Sequence, residues 1–276
     1  QSAVGYYFGR MLHKELGVPV GLVNTSYGGA TAQAYTPIEA LEGDSRLKAN
    51  FVDPYKANPD MNVLVRPAEL YNSMVHPLLP LSARGVVWYQ GEGNWGDYPI
   101  YPLLMKTLIN GWRRNFAHSE MPFYYVQIAP WGFGQDTSSK EWFYTQGEAI
   151  GYAYMREAQA LTREQVSHSG MAVTMDVGDP DDIHPTNKRP VGERLARLAL
   201  NGTYDRSEVA CLGPRYNSLK VENGVVKLLF DNAEGLKTND GQAPKHFYVA
   251  STAGSEHKFW PASAEIHGSE VWLTCP

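Results

Sequence analysis

Through residues 3–200 this chain alternates short, apolar, β-branched runs with stretches whose apolar residues recur at helical spacing. The runs Val18–Val23, Gly85–Tyr89, Phe123–Ala129 and Met171–Met175 read as strands. Helical stripes accompany them: Val4, Phe8, Met11, Leu12 and Leu16, stopped by Gly17 and Pro19; Leu104, Leu108, Trp112 and Phe116 over roughly 100–116; a helix near 141–162; and Val191, Leu195 and Leu198 over 187–200. Strands separated by whole helices pair in parallel, and the helices then cover both faces of the sheet. The predicted class is therefore α/β with a parallel sheet. Thr36-Pro37-Ile38-Glu39 has the form of a capping box opening a short helix, and residues 43–66 read as a polar, irregular surface excursion.

Beyond Gly202 the texture changes. Val225–Phe230, His246–Val249 and Glu270–Leu273 read as short strands between Gly, Asn and Ser turns, an all-β appendage that looks unfinished. The expected division is 1–205 for the α/β domain and 206–276 for an incomplete β-rich domain.

Composition excludes some partners. The net charge is -5 and no long run of Lys or Arg occurs, which argues against nucleic acid or an anionic membrane surface. No apolar stretch reaches the ~20 residues that cross a bilayer. Cys211 and Cys275 form no metal motif, though they are available to pair in an oxidising compartment. Gln1 opens the chain with no visible signal peptide, and both ends read as cut.

Chemistry concentrates at the strand ends, where open α/β sheets bind ligands. Trp88-Tyr89-Gln90-Gly91-Glu92-Gly93-Asn94 ends a strand in glycines and amides, and Gln90 or Asn94 can donate to a developing oxyanion without carrying charge. Asn24-Thr25-Ser26-Tyr27-Gly28-Gly29 ends another; Gly28 and Gly29 let backbone N–H groups approach a ligand closely. Ser26 is the obvious nucleophile within the chain, but Asn24 stands where a Gly-x-Ser-x-Gly elbow needs glycine, so a loop-ordering hydroxyl is the preferred reading. His184, in Asp181-Asp182-Ile183-His184-Pro185, suits a general base if a neighbouring carboxylate orients it; the bland alternative is a surface histidine among acids. Glu92 beside an oxyanion site would oppose negative charge, which favours a structural or sugar-hydroxyl role. Trp88, Trp95, Tyr98 and Trp131 are the ring-stacking candidates, each with core packing as its plainer use.

Together these segments resemble the sialate O-acetylesterase family of the SGNH hydrolases. The resemblance is carried by Ser2–Arg10, Pro19–Val23, Arg66-Pro67 with Leu70-Tyr71-Asn72, Trp88–Asn94, Arg156-Glu157-Ala158-Gln159, and Asp182-Ile183-His184-Pro185 with Asn187-Lys188. It implies an SGNH-like three-layer α/β/α domain with a partial C-terminal β-sandwich-like appendage. It also implies hydrolysis of acetyl esters on carbohydrate, with no cofactor or metal, and an exported location by analogy. Carried over residue by residue, His184 is the base, Asp181 or Asp182 its orienting acid, and Gly28 or Gly29 a backbone oxyanion donor. Gln90 is the side-chain donor, with Asn94 second, and Glu92 and Trp95 contact substrate. Arg66 or Arg84 would serve a sugar carboxylate. The family's serine, in a Gly-Gln-Ser-Asn-type segment, has no counterpart here, so the chain reads as an inactive fragment. The rival classes are a non-catalytic sugar-binding module or pseudoenzyme, and an α/β-hydrolase whose Ser26 Oγ would have to reach His184.

Overall fold

The computed structural model describes residues 2–131, 147–179, 181–250 and 259–275. The chain divides into two compact units, Gln1–Ala210 and Cys211–Pro276.

The first unit is built on three parallel strands, β1 (Val86–Tyr89), β2 (Phe123–Val126) and β3 (Ser169–Ala172), in that order. Register runs from Val86 opposite Phe123 and Phe123 opposite Ser169. Because side chains alternate across a strand, β2 presents Phe123 and Tyr125 to one layer of helices and Tyr124 to the other. Phe123 meets Trp112 of helix α3 (Tyr101–Asn115), and the Tyr125 hydroxyl donates to the Gln159 carbonyl of helix α4 (Gly147–Gln165) at 2.6 Å. On the opposite face Tyr124 bonds Thr203 of helix α5 (Arg189–Thr203) at 2.8 Å. Helix α1 (Ala3–Leu16) packs on α5, and helix α2 (Ile38–Glu42) packs on α3. This is the expected α/β arrangement of a parallel sheet between helices.

The core fills from the predicted stripes. Leu104, Met105, Leu108 and Ile109 of α3 are fully buried, and Trp112 closes an aromatic cluster with Trp88, Tyr35 and Phe123. The Trp112 Nε1–H donates to the Tyr35 carbonyl at 2.9 Å, so its polar edge is satisfied while its face is buried. Helix α1 starts on Ser2, whose hydroxyl accepts from the Gly5 N–H, and stops at Gly17 with φ +68°.

Three local expectations fail for physical reasons. Val18–Val23 pairs with no strand among the described residues; Val23 is 64% exposed. The Thr36 hydroxyl donates back to the Ala32 carbonyl at 2.8 Å, joining a 3₁₀ turn instead of capping α2. Residues 45–57 are helical turns rather than irregular coil, because Leu47, Phe51 and Val52 supply a buried stripe among polar neighbours. Among the described residues strand β1 bonds only β2, and Val87 is 37% exposed, so this strand forms a sheet edge. Of the aromatic loop, Gly132 and Phe133 lie outside the described residues, as do 141–146 of the expected helix.

The second unit is an antiparallel sheet of β4 (Arg215–Glu222), β5 (Val225–Asp231), β9 (Glu270–Thr274) and β8 (Ser263–His267), in that spatial order. A second pair is formed by β6 (Tyr248–Ala250) and β7 (Phe259–Pro261). Ala264, Val271 and Leu273 form its centre with Val226, Leu228 and Ile266 against them. Leu219 and Val221 pair with Leu228 and Val226, on that same face, yet are 52% and 64% exposed. Cys211 and Cys275 are both free thiols rather than a disulfide.

Helices α1 and α5 approach closely at Gly192, where a Cβ would lie 2.7 Å from the Val4 carbonyl oxygen and 2.9 Å from the Phe8 nitrogen. Both obstacles are backbone, which cannot swing aside. Gly192→Val is expected to destabilise the chain by about 2 kcal/mol or more. Urea unfolding monitored by tryptophan fluorescence checks this; an unchanged midpoint would remove the claim of close packing.

Candidate active site

The site begins where β1 ends. Gly91 takes φ +154°, and a Cβ there would fall 2.5 Å from Ile128 Cγ2 and 2.8 Å from Gln159 Nε2. Only glycine lets the chain turn there beneath the Gln159 side chain. That side chain, fully buried, donates from Nε2 to the Gln90 carbonyl (3.1 Å) and the Val126 carbonyl (3.2 Å). Its Oε1 accepts from the Ile128 N–H at 2.8 Å. One amide on α4 thus joins the carboxyl ends of β1 and β2.

The Gln90 and Asn94 side chains continue this network. Gln90 Nε2 donates to the Ala30 carbonyl (3.2 Å) and to Asn94 Oδ1 (2.7 Å), while Gln90 Oε1 accepts from the Tyr101 hydroxyl (3.0 Å). Asn94 Oδ1 also accepts from the Ala32 N–H (2.8 Å), and its Nδ2 donates to Gln33 Oε1 (2.9 Å) and Asp97 Oδ2 (2.7 Å). A primary amide has two N–H donors, and in both residues both are engaged. Gln90 and Asn94, expected to serve an oxyanion, are both buried and hold the neighbouring loop in place.

That loop carries Gly28 and Gly29. It lies against Gly93, whose Cβ, if present, would sit 3.3 Å from the Gly29 and Ala30 carbonyl oxygens. Gly28 and Gly29 are exposed, and Gly29 has φ +76°. The two glycine-bearing turns predicted to converge are therefore in direct contact. Ser26, also exposed, donates its hydroxyl to Asn24 Oδ1 at 2.6 Å, an amide acceptor that cannot serve as a base.

His184 comes from the segment between β3 and α5. Its base is fixed by Arg194, whose guanidinium grips the Asp176 carboxylate through two contacts of 2.6 Å and donates to the Val173 carbonyl. This fork holds the Asp176 carboxyl below its ordinary range. Gly178 passes so close to Pro130, beyond β2, that a Cβ would meet Pro130 Cδ at 2.4 Å. The His184 side chain is 87% exposed, with Nδ1 3.8 Å from Asp182 Oδ1; the same oxygen accepts the His184 N–H at 2.7 Å. Asp181 instead donates its N–H to Asp179. Of the two acids left open by the sequence, Asp182 faces the imidazole.

Glu92 lies half-buried at the start of the turn after Gly91, and desolvation pushes its carboxyl above the ordinary value of 4.5. The Lys188 ammonium and the His184 ring are near enough to act against that rise. Glu92 in turn adds to the effect of burial on Tyr89, whose phenol is pushed up to about 12. The Lys188 Nζ lies 5.1 Å from the centroid of the Tyr89 ring. Through Lys188 and Glu92, the histidine segment and the carboxyl end of β1 share one electrostatic environment.

Other expected contacts lie elsewhere. Trp95 packs its ring on Gly151 of α4, where a Cβ would be 2.8 Å away, so core packing accounts for it. Arg66 pairs with Glu69 (3.2 Å) and the Met61 carbonyl, and Arg84 donates to the Thr203 carbonyl and sits over the Tyr204 ring. Among the described residues no group of three or more His, Cys, Asp or Glu is placed to hold a metal ion. No helix among them is long and apolar enough to cross a membrane.

Residues 2–201 match the family model described as carbohydrate esterase, sialic acid-specific acetylesterase. The chain belongs to that family. Rat sialate O-acetylesterase is 28% identical over 99% of the chain and 55% of its own length. The human sialate O-acetylesterase is 29% identical over 95% of the chain and 50% of its own length. The crystal structure of a carbohydrate acetylesterase from Xanthomonas citri superposes with a TM-score of 0.81 at 33% identity, over 99% of this chain and 56% of that one. The chain thus spans about half the length of the relatives it matches.

Two residues that organise the site escape sequence reasoning. Arg194 gave no signal beyond a charge on a helix. Gln159 had one: an uncharged amide within the buried stripe of an amphipathic helix needs partners there. Gln159→Leu, close in volume, leaves the Ile128 N–H and two carbonyls without partners and is expected to cost about 3 kcal/mol in chemical unfolding.

The raised Glu92 carboxyl has a pH signature. Its protonated form is favoured by folding, so ionisation weakens the fold as pH rises from 4.5 through the higher folded value. Glu92→Gln is expected to be more stable than the parent at pH 7 and to lose that advantage below about pH 4. Denaturant titrations at the two pH values read this directly; an equal difference at both would contradict the burial of the charge.

Proposed function

We propose that this chain is part of a serine-type carbohydrate O-acetylesterase. The observation that carries the reading is the exposed His184, faced by Asp182, on a segment electrostatically linked to the turn that buttresses the Gly28–Gly29 loop. Among the described residues no serine hydroxyl is hydrogen-bonded to His184, and Ser26 is tied to Asn24. As the family resemblance implies, the nucleophile is assigned to a serine of a Gly-Gln-Ser-Asn-type segment, which this sequence does not contain. Among the described residues strand β1 bonds on one side only, to β2, and the apolar run Val18–Val23 pairs with no strand, which supports a further strand in the full-length protein.

In the reaction the serine Oγ attacks the acetyl carbonyl carbon while His184 takes its proton. Backbone N–H groups of Gly28 or Gly29 receive the developing oxyanion; Gln90 and Asn94 fix the loop that carries them. The tetrahedral anion collapses, the C–O bond to the sugar breaks, and His184 returns its proton to the departing alkoxide. Water then attacks the acyl-serine, His184 again accepts the proton, and acetate leaves. Asp182 stabilises the imidazolium in each step. The substrate class is an O-acetylated sugar, either sialic acid or a plant glycan.

Acetate release tests this with acetylated sialic acid and acetylated xylan, using the full-length protein and the isolated chain. The full-length protein should turn over, and its His184→Ala variant should lose about 10⁴-fold or more in kcat. The isolated chain should release little or none, with or without Ser26→Ala. Turnover by the isolated chain that vanishes in Ser26→Ala would move the nucleophile to Ser26. Glycan binding by the full-length protein without acetate release would favour a non-catalytic sugar-binding role.

A further inference from the structure

The histidine segment and the Gln90 turn are far apart along the chain, and one cation stands between them. Lys188 occupies the N-cap of α5, four residues after His184. Its N–H bonds the Thr186 carbonyl (2.9 Å) and its carbonyl accepts from the Gly192 N–H (3.2 Å), so its backbone is fixed by the helix start. Its half-buried side chain reaches the face of Tyr89, the last residue of β1 and the direct neighbour of Gln90. A cation over an aromatic face is held by the ring's negative centre, more strongly as water is excluded. Two carboxylates act on it electrostatically, Glu92 just beyond β1 and Asp182 in the histidine segment. The other titratable groups that sense Glu92 are Tyr89, Tyr101, Tyr152 and His184 itself.

We infer that Lys188 is a positioning residue: its ammonium, seated over the Tyr89 ring and attracted by Glu92 and Asp182, ties the histidine segment to the carboxyl end of β1. Without that charge Glu92 and Asp182 lose a cation that acts on both. Half-buried Glu92 then protonates more readily, and the segment loses its attachment beside the turn that carries the glycine loop. Nothing else described in the segment performs this task, since Arg194 and Gly178 secure only its beginning. Arginine at 188 would keep both the charge and the stacking on Tyr89; methionine would keep the length alone.

The role has meaning only within the esterase reading, so the test has two arms. In the first, this chain is labelled with ¹³C at glutamate and the Glu92 carboxyl is titrated by NMR, with no substrate present. Lys188→Met should raise the Glu92 midpoint by about one pH unit, and Lys188→Arg should restore it. Lys188→Gln, uncharged but polar, should shift the midpoint as Met does and serves if the Met variant misfolds. Cross-peaks between the Lys188 side chain and the Tyr89 ring are expected in the parent chain. In the second arm, full-length Lys188→Met should lose about a hundred-fold in kcat, with KM nearly unchanged, and Lys188→Arg should recover most of it. An unmoved Glu92 midpoint in both uncharged variants, or a parental kcat in Lys188→Met, overturns the inference. Absence of acetate release by the unsubstituted full-length protein overturns the esterase reading instead, and the first arm then decides the placement of Lys188 alone.

Discussion

The arrangement of the catalytic rim depends on a buried chain of amides running from α4 to the glycine loop. Gln159 binds the carbonyls at the ends of β1 and β2, Gln90 reaches the Ala30 carbonyl, and Asn94 links Gln90 to the Ala32 N–H. Irregular backbone at the end of a parallel sheet would otherwise leave buried donors and acceptors unsatisfied, each at a cost of about 1–3 kcal/mol. Uncharged amides suit this task because each both donates and accepts. A carboxylate or an ammonium could do only one, and would bring a charge into a place with little water. The network therefore lets two loops meet without adding net charge where they touch.

Charge is handled separately, at the margin. Glu92, Lys188, Asp182 and His184 form a mixed set in which the cation lies nearer the aromatic wall and the imidazole nearer solvent. That wall is the Tyr89 ring, while on the opposite face of the sheet Trp88 packs with Trp112 and Phe123. The histidine segment is held at its start by the Arg194–Asp176 fork and at its end by the α5 cap, leaving the His184 side chain in the open stretch between two fixed points.

Much of this was legible from residue order. The α3 and α5 stripes match their observed buried faces, and the three strands carrying Trp88, Tyr125 and Met171 occur where apolar β-branched runs stand between helices. Gly28 and Gly29 were singled out for the backbone approach that their lack of a side chain allows, whereas the packing of Gly93 on that loop was not foreseen. What could not be read was which polar group would bond to which. Gln90 looks the same in sequence whether its N–H groups face a ligand or Ala30 and Asn94, and only tertiary contacts decide. The helical turns of residues 45–57 were missed because their apolar positions are few and their neighbours charged. Val18–Val23 has strand composition, but strand identity needs a partner as well as a propensity.

The Gly91–Gln159 contact also bears on how this family can vary. A side chain at position 91 and a glutamine at position 159 compete for the same space, since a Cβ at 91 falls 2.8 Å from the Gln159 amide nitrogen. Neither can drift alone: enlarging 91 expels the amide, and shortening 159 strands three backbone groups while leaving 91 in a conformation that only glycine adopts without strain. Natural relatives should accordingly exchange the two positions together or keep both, a paired history that residues far apart in the chain would otherwise have no reason to share.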